Sequence, residues 1–165
     1  MNSLVKIILN IIPRSILTRL SFLLKPLIKI YLRGNKYVDP IDGSSFRKFL
    51  PYGYNNVREN ALSPSTFSLE RHRLLWLYLK NETDFFNKDL KVLHFAPEAA
   101  FLEKFKKLKN ISYDTIDLNS PLANIKADIC DLPLDDESYD FILCNHVLEH
   151  VIAVSYTHLR AHETW

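Results

Sequence analysis

One group of residues has types and spacing suited to holding a nucleoside. The run Ser112-Tyr-Asp-Thr-Ile-Asp117 ends on a carboxylate and follows the turn His94-Phe-Ala-Pro-Glu-Ala-Ala100. An acid at the end of a second strand, about 20 residues after the first turn, can accept hydrogen bonds from both ribose hydroxyls of a nucleoside cofactor. The plainer reading of Asp117 is a turn acid, and both stay open on the sequence. Asp128-Ile129 and Asn145-His146 follow two further apolar runs. His146, Glu149 and His150 add side chains able to take or give a proton, with packing and capping as their alternative uses.

Those positions have meaning only if the surrounding chain forms a particular scaffold. Lys91–Ala96 reads as a strand and Glu98–Lys109 as a helix, its FLEKFKKLK pattern spacing apolar residues at helical intervals. Ser112–Asp117 is a second strand, Asn124–Ala127 a brief third, and Tyr139–Asn145 a fourth after the polar turn Leu134–Ser138. His146–Val151 is expected to open another helix. Strands alternating with helices indicate a parallel α/β sheet, in which ligands lie outside the carboxyl ends of the strands. The residues at those ends are His94 to Ala100, Asp117, Asp128 with Ile129, and Asn145 with His146.

Taken together, KVLHFAPEAA, YDTIDLNS and KADICDLPLDDESYDFILCNHVLEHV resemble the successive cofactor motifs of class I S-adenosylmethionine-dependent methyltransferases, of a bacterial type 11-like kind. The resemblance implies a Rossmann-like doubly wound parallel sheet, of which the chain holds the first four strands. It also implies S-adenosyl-L-methionine as cofactor and methyl transfer to an unknown acceptor. Carried over residue by residue, Asp117 holds the ribose, Asp128 and Ile129 flank the adenine, and Asn145 and His146 border the methionine portion and the methyl group. His94, Ala96 and Glu98 belong to the first turn. That turn departs from the family's acid-x-Gly-x-Gly-x-Gly, because His94 stands for the acid and Ala96, Glu98 and Ala100 for the glycines. Glycine there allows positive φ and close backbone approach to a ligand. Glu98 falls at a helix start, where a carboxylate is favoured, and it can also meet an ammonium group. A nicotinamide-dependent oxidoreductase shares the acid after its second strand but wants GxGxxG after its first, which is missing.

Upstream, residues 37–67 contain two similar segments, Asp39-Pro-Ile-Asp-Gly43 and Ser63-Pro-Ser-Thr-Phe67. With cysteine at 39, 42, 63 and 66 they would form a zinc ribbon; Asp, Asp, Ser and Thr do not make a closed zinc site. This segment resembles a degenerate form of the small ribbon that precedes some bacterial methyltransferase domains, and no metal is expected. Ser68–Lys80 reads as a helix with Ser68 as its N-cap, and no role is assigned to His72. Residues 1–36 form a basic amphipathic segment that Pro13 and Pro26 are expected to divide into short helices. Residues 1–38 carry seven Lys/Arg and no acid, while the rest of the chain sets 14 basic residues against all 19 acids. The apolar runs are too short to span a bilayer. For residues 1–33 two readings stay open: peripheral contact with an anionic membrane surface, and packing on the body or a second subunit. Nucleic acid is not expected, since few aromatic residues lie among the cations.

At 165 residues, 47% apolar and 24% charged, the chain has the size and composition of a folded domain and is not grossly disordered. Cys130 and Cys144 lie in apolar runs and read as small core residues in a reducing cytosol, peripheral to the inner face of the membrane if the basic head binds there. The methyltransferase half-domain is placed at 68–152. The stretch 153–165 resembles a tail derived from a sequencing-library adapter, Val154–Thr164 reading as its in-frame translation, which excludes it from fold reasoning. On that expectation the fifth to seventh strands are missing, the fourth exposes an edge, and the fragment is inactive as it stands. The alternative function is a non-catalytic interaction protein on a decayed methyltransferase fold.

Overall fold

The computed structural model describes residues 24–53 and 56–151. The chain divides into two compact units between Trp76 and Leu77. Among the described residues no helix is long and apolar enough to cross a membrane.

Among the described residues the first unit opens with helical residues 24–31 (α1). Strand β1 (Arg33–Val38) pairs antiparallel with β2 (Ser45–Phe46), and β3 (Leu50–Tyr52) pairs antiparallel with β4 (Arg58–Leu62). Leu32, Phe46 and Phe49 form its small apolar core, with Ile28, Tyr37 and Leu50 against them. Helix α2 (Glu70–Asn81) follows.

Two turns in this unit repeat one backbone pattern. In the first, the Asp39 N–H donates to the Ser44 carbonyl and the Gly43 N–H to the Asp39 carbonyl; in the second, Ser63 donates to Ser68 and Phe67 to Ser63. The fifth residue of each turn has positive φ, 72° at Gly43 and 57° at Phe67. The turns are joined by a fully buried carboxylate. Asp39 accepts from the Ile41 amide at 3.0 Å and from the hydroxyls of Thr66 and Ser68. Ser65 donates to Asp42 at 3.1 Å. The segments carrying positions 39, 42, 63 and 66 therefore lie together, linked by hydrogen bonds between oxygen-bearing side chains.

In the second unit, β5 (Leu90–Phe95) is the central strand of a parallel sheet, with β6 (Ile111–Ile116) on one side and β7 (Phe141–Cys144) on the other. The register runs Leu90 with Ile111 through Phe95 with Ile116, and Phe95 with Cys144. Helix α3 (Ala99–Phe105) links β5 to β6. Strand β5 is buried on both faces, as a central parallel strand must be. Leu93 and Phe95 pack on one side with Ile116, Ile125, Ile129 and Val147. The opposite side carries His94 among Phe101, Phe105 and Tyr113, with ring centroids 6.0–6.4 Å from the imidazole. Phe85 extends this aromatic layer to Phe105 and Phe141.

Several sequence expectations are corrected. The third strand shrinks to a single parallel bridge, Ile116 to Ile125. Its ladder stops because the Asn124 side chain replaces backbone pairing, accepting from the Thr115 amide at 2.6 Å. The helix expected at His146 is a 3-10 turn, Leu148–His150, since His146 has φ 55°, which no right-handed helix accommodates. The helix after β5 is shorter than Glu98–Lys109. Pro26 is the third described residue of α1, and the division expected at Pro13 lies outside the described residues. Ser68 is not the cap of α2; its hydroxyl is committed to Asp39. His72, given no role from the sequence, is buried, and its Nδ1 accepts the Leu69 amide at 3.0 Å, the backward half of a capping box. Cys130 is exposed and so is not a core thiol.

Candidate functional site

Strand order places a topological switch point at β5: the chain moves to β6 on one side and returns to β7 on the other. In open α/β sheets the crevice outside the carboxyl ends of the strands at such a point is the place for a ligand. A cavity of about 730 Å³ lies there. It falls in the usual size range of small-molecule sites, roughly 300–1,000 Å³.

Each wall follows from an element that ends at it. The β5 end supplies Phe95 and Ala96, and the β6 end supplies Ile116, Asp117 and Leu118. Ala127 to Cys130 form the loop beyond the Ile125 bridge, and Val147, His150 and Val151 come from the segment after β7. Ala96 has φ 48°, the left-handed backbone that a glycine would take without strain. Alanine at 96 thus holds the positive-φ conformation that the sequence reading assigned to a glycine.

Both cavity acids use one oxygen to shape their own loop. Asp117 Oδ1 accepts the amides of Asn119 at 2.8 Å and Ser120 at 2.7 Å, and no hydrogen bond from the described residues reaches its Oδ2. Asp128 Oδ1 accepts the Cys130 amide at 2.9 Å. Partial desolvation and the neighbouring Asp128 carboxylate push the Cys130 thiol up. The wall carries two acids and no Lys or Arg. Such a wall suits a ligand offering hydroxyl donors or positive charge and opposes a pyrophosphate, which needs donors and cations.

Of the eight residues expected to bind a cofactor, Ala96, Asp117, Asp128 and Ile129 line this cavity. His94 does not. Side chains alternate along a strand, so His94 points to the face opposite Phe95. It is fully buried there, with Nδ1 2.7 Å from the Tyr113 hydroxyl and Nε2 3.8 Å from Glu98 Oε2. Burial, and then the Glu98 charge, raise Tyr113 well above the usual phenol range. Glu98 and Asn145 meet each other, the Asn145 amide donating to Glu98 Oε2 at 3.3 Å between the start of α3 and the end of β7. His146 and Glu149 pair at 3.2 Å on the surface. Among the three proton-transfer candidates, His150 alone lines the cavity.

The sequence reading missed Ile116, Leu118, Ala127, Cys130, Val147 and Val151. These are mostly apolar wall residues, whose only signal is adjacency to a strand end. Among the described residues no group of three or more His, Cys, Asp or Glu is arranged to hold a metal.

Comparison with known families gives a match. Residues 82–162, just under half of the chain, match the family model described as a methyltransferase domain. The match supports a methyltransferase activity in general, and the Rossmann-like α/β fold it implies is consistent with the parallel sheet. The matched span runs past residue 151, beyond the described residues. No curated protein and no solved structure matches the chain.

Proposed function

We propose that the second unit is the cofactor-binding part of an S-adenosylmethionine-dependent methyltransferase, with the nucleoside seated in the cavity at the ends of β5 and β6. The observation that carries this reading is the composition of the wall at the switch point, with an acid at the end of β6, a second acid beyond it and no cation. It fits an adenosine joined to a positively charged sulfonium better than a dinucleotide.

In this reading Asp117 uses Oδ1 to hold its turn and presents Oδ2 to the ribose hydroxyls. Asp128, through the polar edge of its loop, and Ile129, through its apolar face, take the adenine with Cys130 beside them. Ala96 lets the backbone of the first turn approach the ligand. Glu98, steadied by Asn145, is assigned to the methionine end. When bound, the cofactor supplies an already electrophilic methyl group, so the protein's task is alignment and exclusion of water. His150, facing the cavity, is the residue best placed to accept a proton from an acceptor; His146 and Glu149 hold each other on the surface.

The test is calorimetric titration of the full chain and two variants with S-adenosylmethionine. Asp117→Ala is expected to weaken binding about 10–100-fold, the loss of hydrogen bonds to a charged group. Asp117→Asn keeps an acceptor for the turn amides and should lose less. Equal affinity for wild type and Asp117→Ala would remove Asp117 from the site. Binding without methyl transfer to any acceptor by the intact protein would favour the non-catalytic alternative.

A further inference from the structure

Helix α1 presents its apolar side to solvent. Ile28 and Leu32 turn inward to Phe46 and Phe49. On the other side Leu27, Ile30 and Tyr31 are 63%, 73% and 71% exposed, and Leu24 is exposed beside them. At 100° per residue, Leu24, Pro26, Leu27, Ile30 and Tyr31 fill one half of the helix, and that half contains no charged residue. A helix at a water-facing surface normally carries its polar residues there.

Beside this face runs a groove of about 540 Å³ lined by Lys29, Ile30, Arg33, Gly34, Ser44 and Ser45. It brings together two cations and two hydroxyls, the donor set a phosphate needs. A side chain at position 34 would collide with the Arg47 backbone at 2.6 Å, so glycine keeps that wall close. The Arg47 guanidinium lies 4.4 Å from the Tyr31 ring centroid, bringing a further cation to the edge of the apolar face.

We propose that the first unit docks on an anionic phospholipid surface. The exposed face of α1 enters the headgroup–acyl boundary and a lipid phosphate sits in the groove between Lys29, Arg33 and the serines. Charge selects this occupant. No acid occurs before Asp39, and Asp39 and Asp42 are engaged in the paired turns. A second copy would oppose the same cations to themselves, a repulsive arrangement. Nucleic acid would meet the cations but leave Leu27 and Ile30 in water. An anionic bilayer satisfies both features at once.

The experiment is co-sedimentation of the full chain with vesicles of phosphatidylcholine alone and of phosphatidylcholine with 30% phosphatidylglycerol. Binding is expected on the anionic vesicles and at least tenfold weaker on the neutral ones. Lys29→Ala with Arg33→Ala should weaken anionic binding about 30-fold. Leu27→Ser with Ile30→Ser, both at exposed positions, should abolish it while circular dichroism stays unchanged. Unaltered binding by the Leu27→Ser/Ile30→Ser protein would overturn the proposal, placing any contact elsewhere in the basic segment. It would equally be overturned if the wild type ignored vesicles and sedimented as a dimer that this double substitution dissociates.

Discussion

In the first unit a carboxylate is fully buried, and its partners are short side chains and an amide of its own neighbourhood. In the second unit the acids stand at the rim of a cavity, each with one oxygen given to its own loop. Asp39 joins two matching turns, so its hydrogen-bonding capacity is spent on architecture. Asp117 and Asp128 sit on loops carried by a sheet whose stability comes from elsewhere, from Leu93, Phe95 and Ile116 on one face and the Phe85–Phe105 layer on the other. The difference separates a structural acid from a candidate binding acid. Burial and the number of local partners distinguish them; residue type does not.

The contrast can be broken most forcefully at Asp39. Asp39→Ala is expected to destabilise the first unit by about 3–5 kcal/mol, from two or more hydrogen bonds to a carboxylate at roughly 1.5–3 kcal/mol each. Hydrogen exchange should show protection lost across β1 to β4 and kept in β5 and β6; uniform loss in both units would refute the division of roles. Next in size is the effect of Asp117→Ala on cofactor affinity, about 1.4–2.7 kcal/mol, expected with little change in the exchange protection of β5. The smallest effect concerns the strained turn. Ala96→Gly relieves a left-handed alanine and should stabilise the second unit by up to about 1 kcal/mol, with affinity held or improved. A destabilised Ala96→Gly protein would mean that chain entropy outweighs the strain.

The second unit was largely legible in the sequence, because its signals are those of the backbone. Apolar runs closed by Asp117 and by Asn145 gave the strands, and the strand ends gave Ala96, Asp117, Asp128 and Ile129. What could not be read was the direction of each side chain. His94 lies one residue from Phe95, yet strand parity sends it into the aromatic layer and leaves Phe95 on the cavity wall. Nor did the pattern reveal that Asn124 would replace a strand with side-chain hydrogen bonds, or that His146 would adopt positive φ. In the first unit the recurrence of Asp39-Pro40 and Ser63-Pro64 marked the paired turns. A zinc-ligand pattern does not reveal the role of Ser65, Thr66 and Ser68, because hydroxyls that are poor zinc ligands are good donors to carboxylates.

The central claim, that the cavity at the ends of β5 and β6 holds an adenosyl cofactor, is tested most directly by amide chemical-shift mapping of the full chain during titration with S-adenosylhomocysteine. Saturable shifts concentrated at Ala96, Asp117 to Leu118 and Asp128 to Cys130, with β1 to β4 unmoved, are the predicted result. No shifts at saturating ligand, or shifts confined to residues away from that cavity, would contradict it.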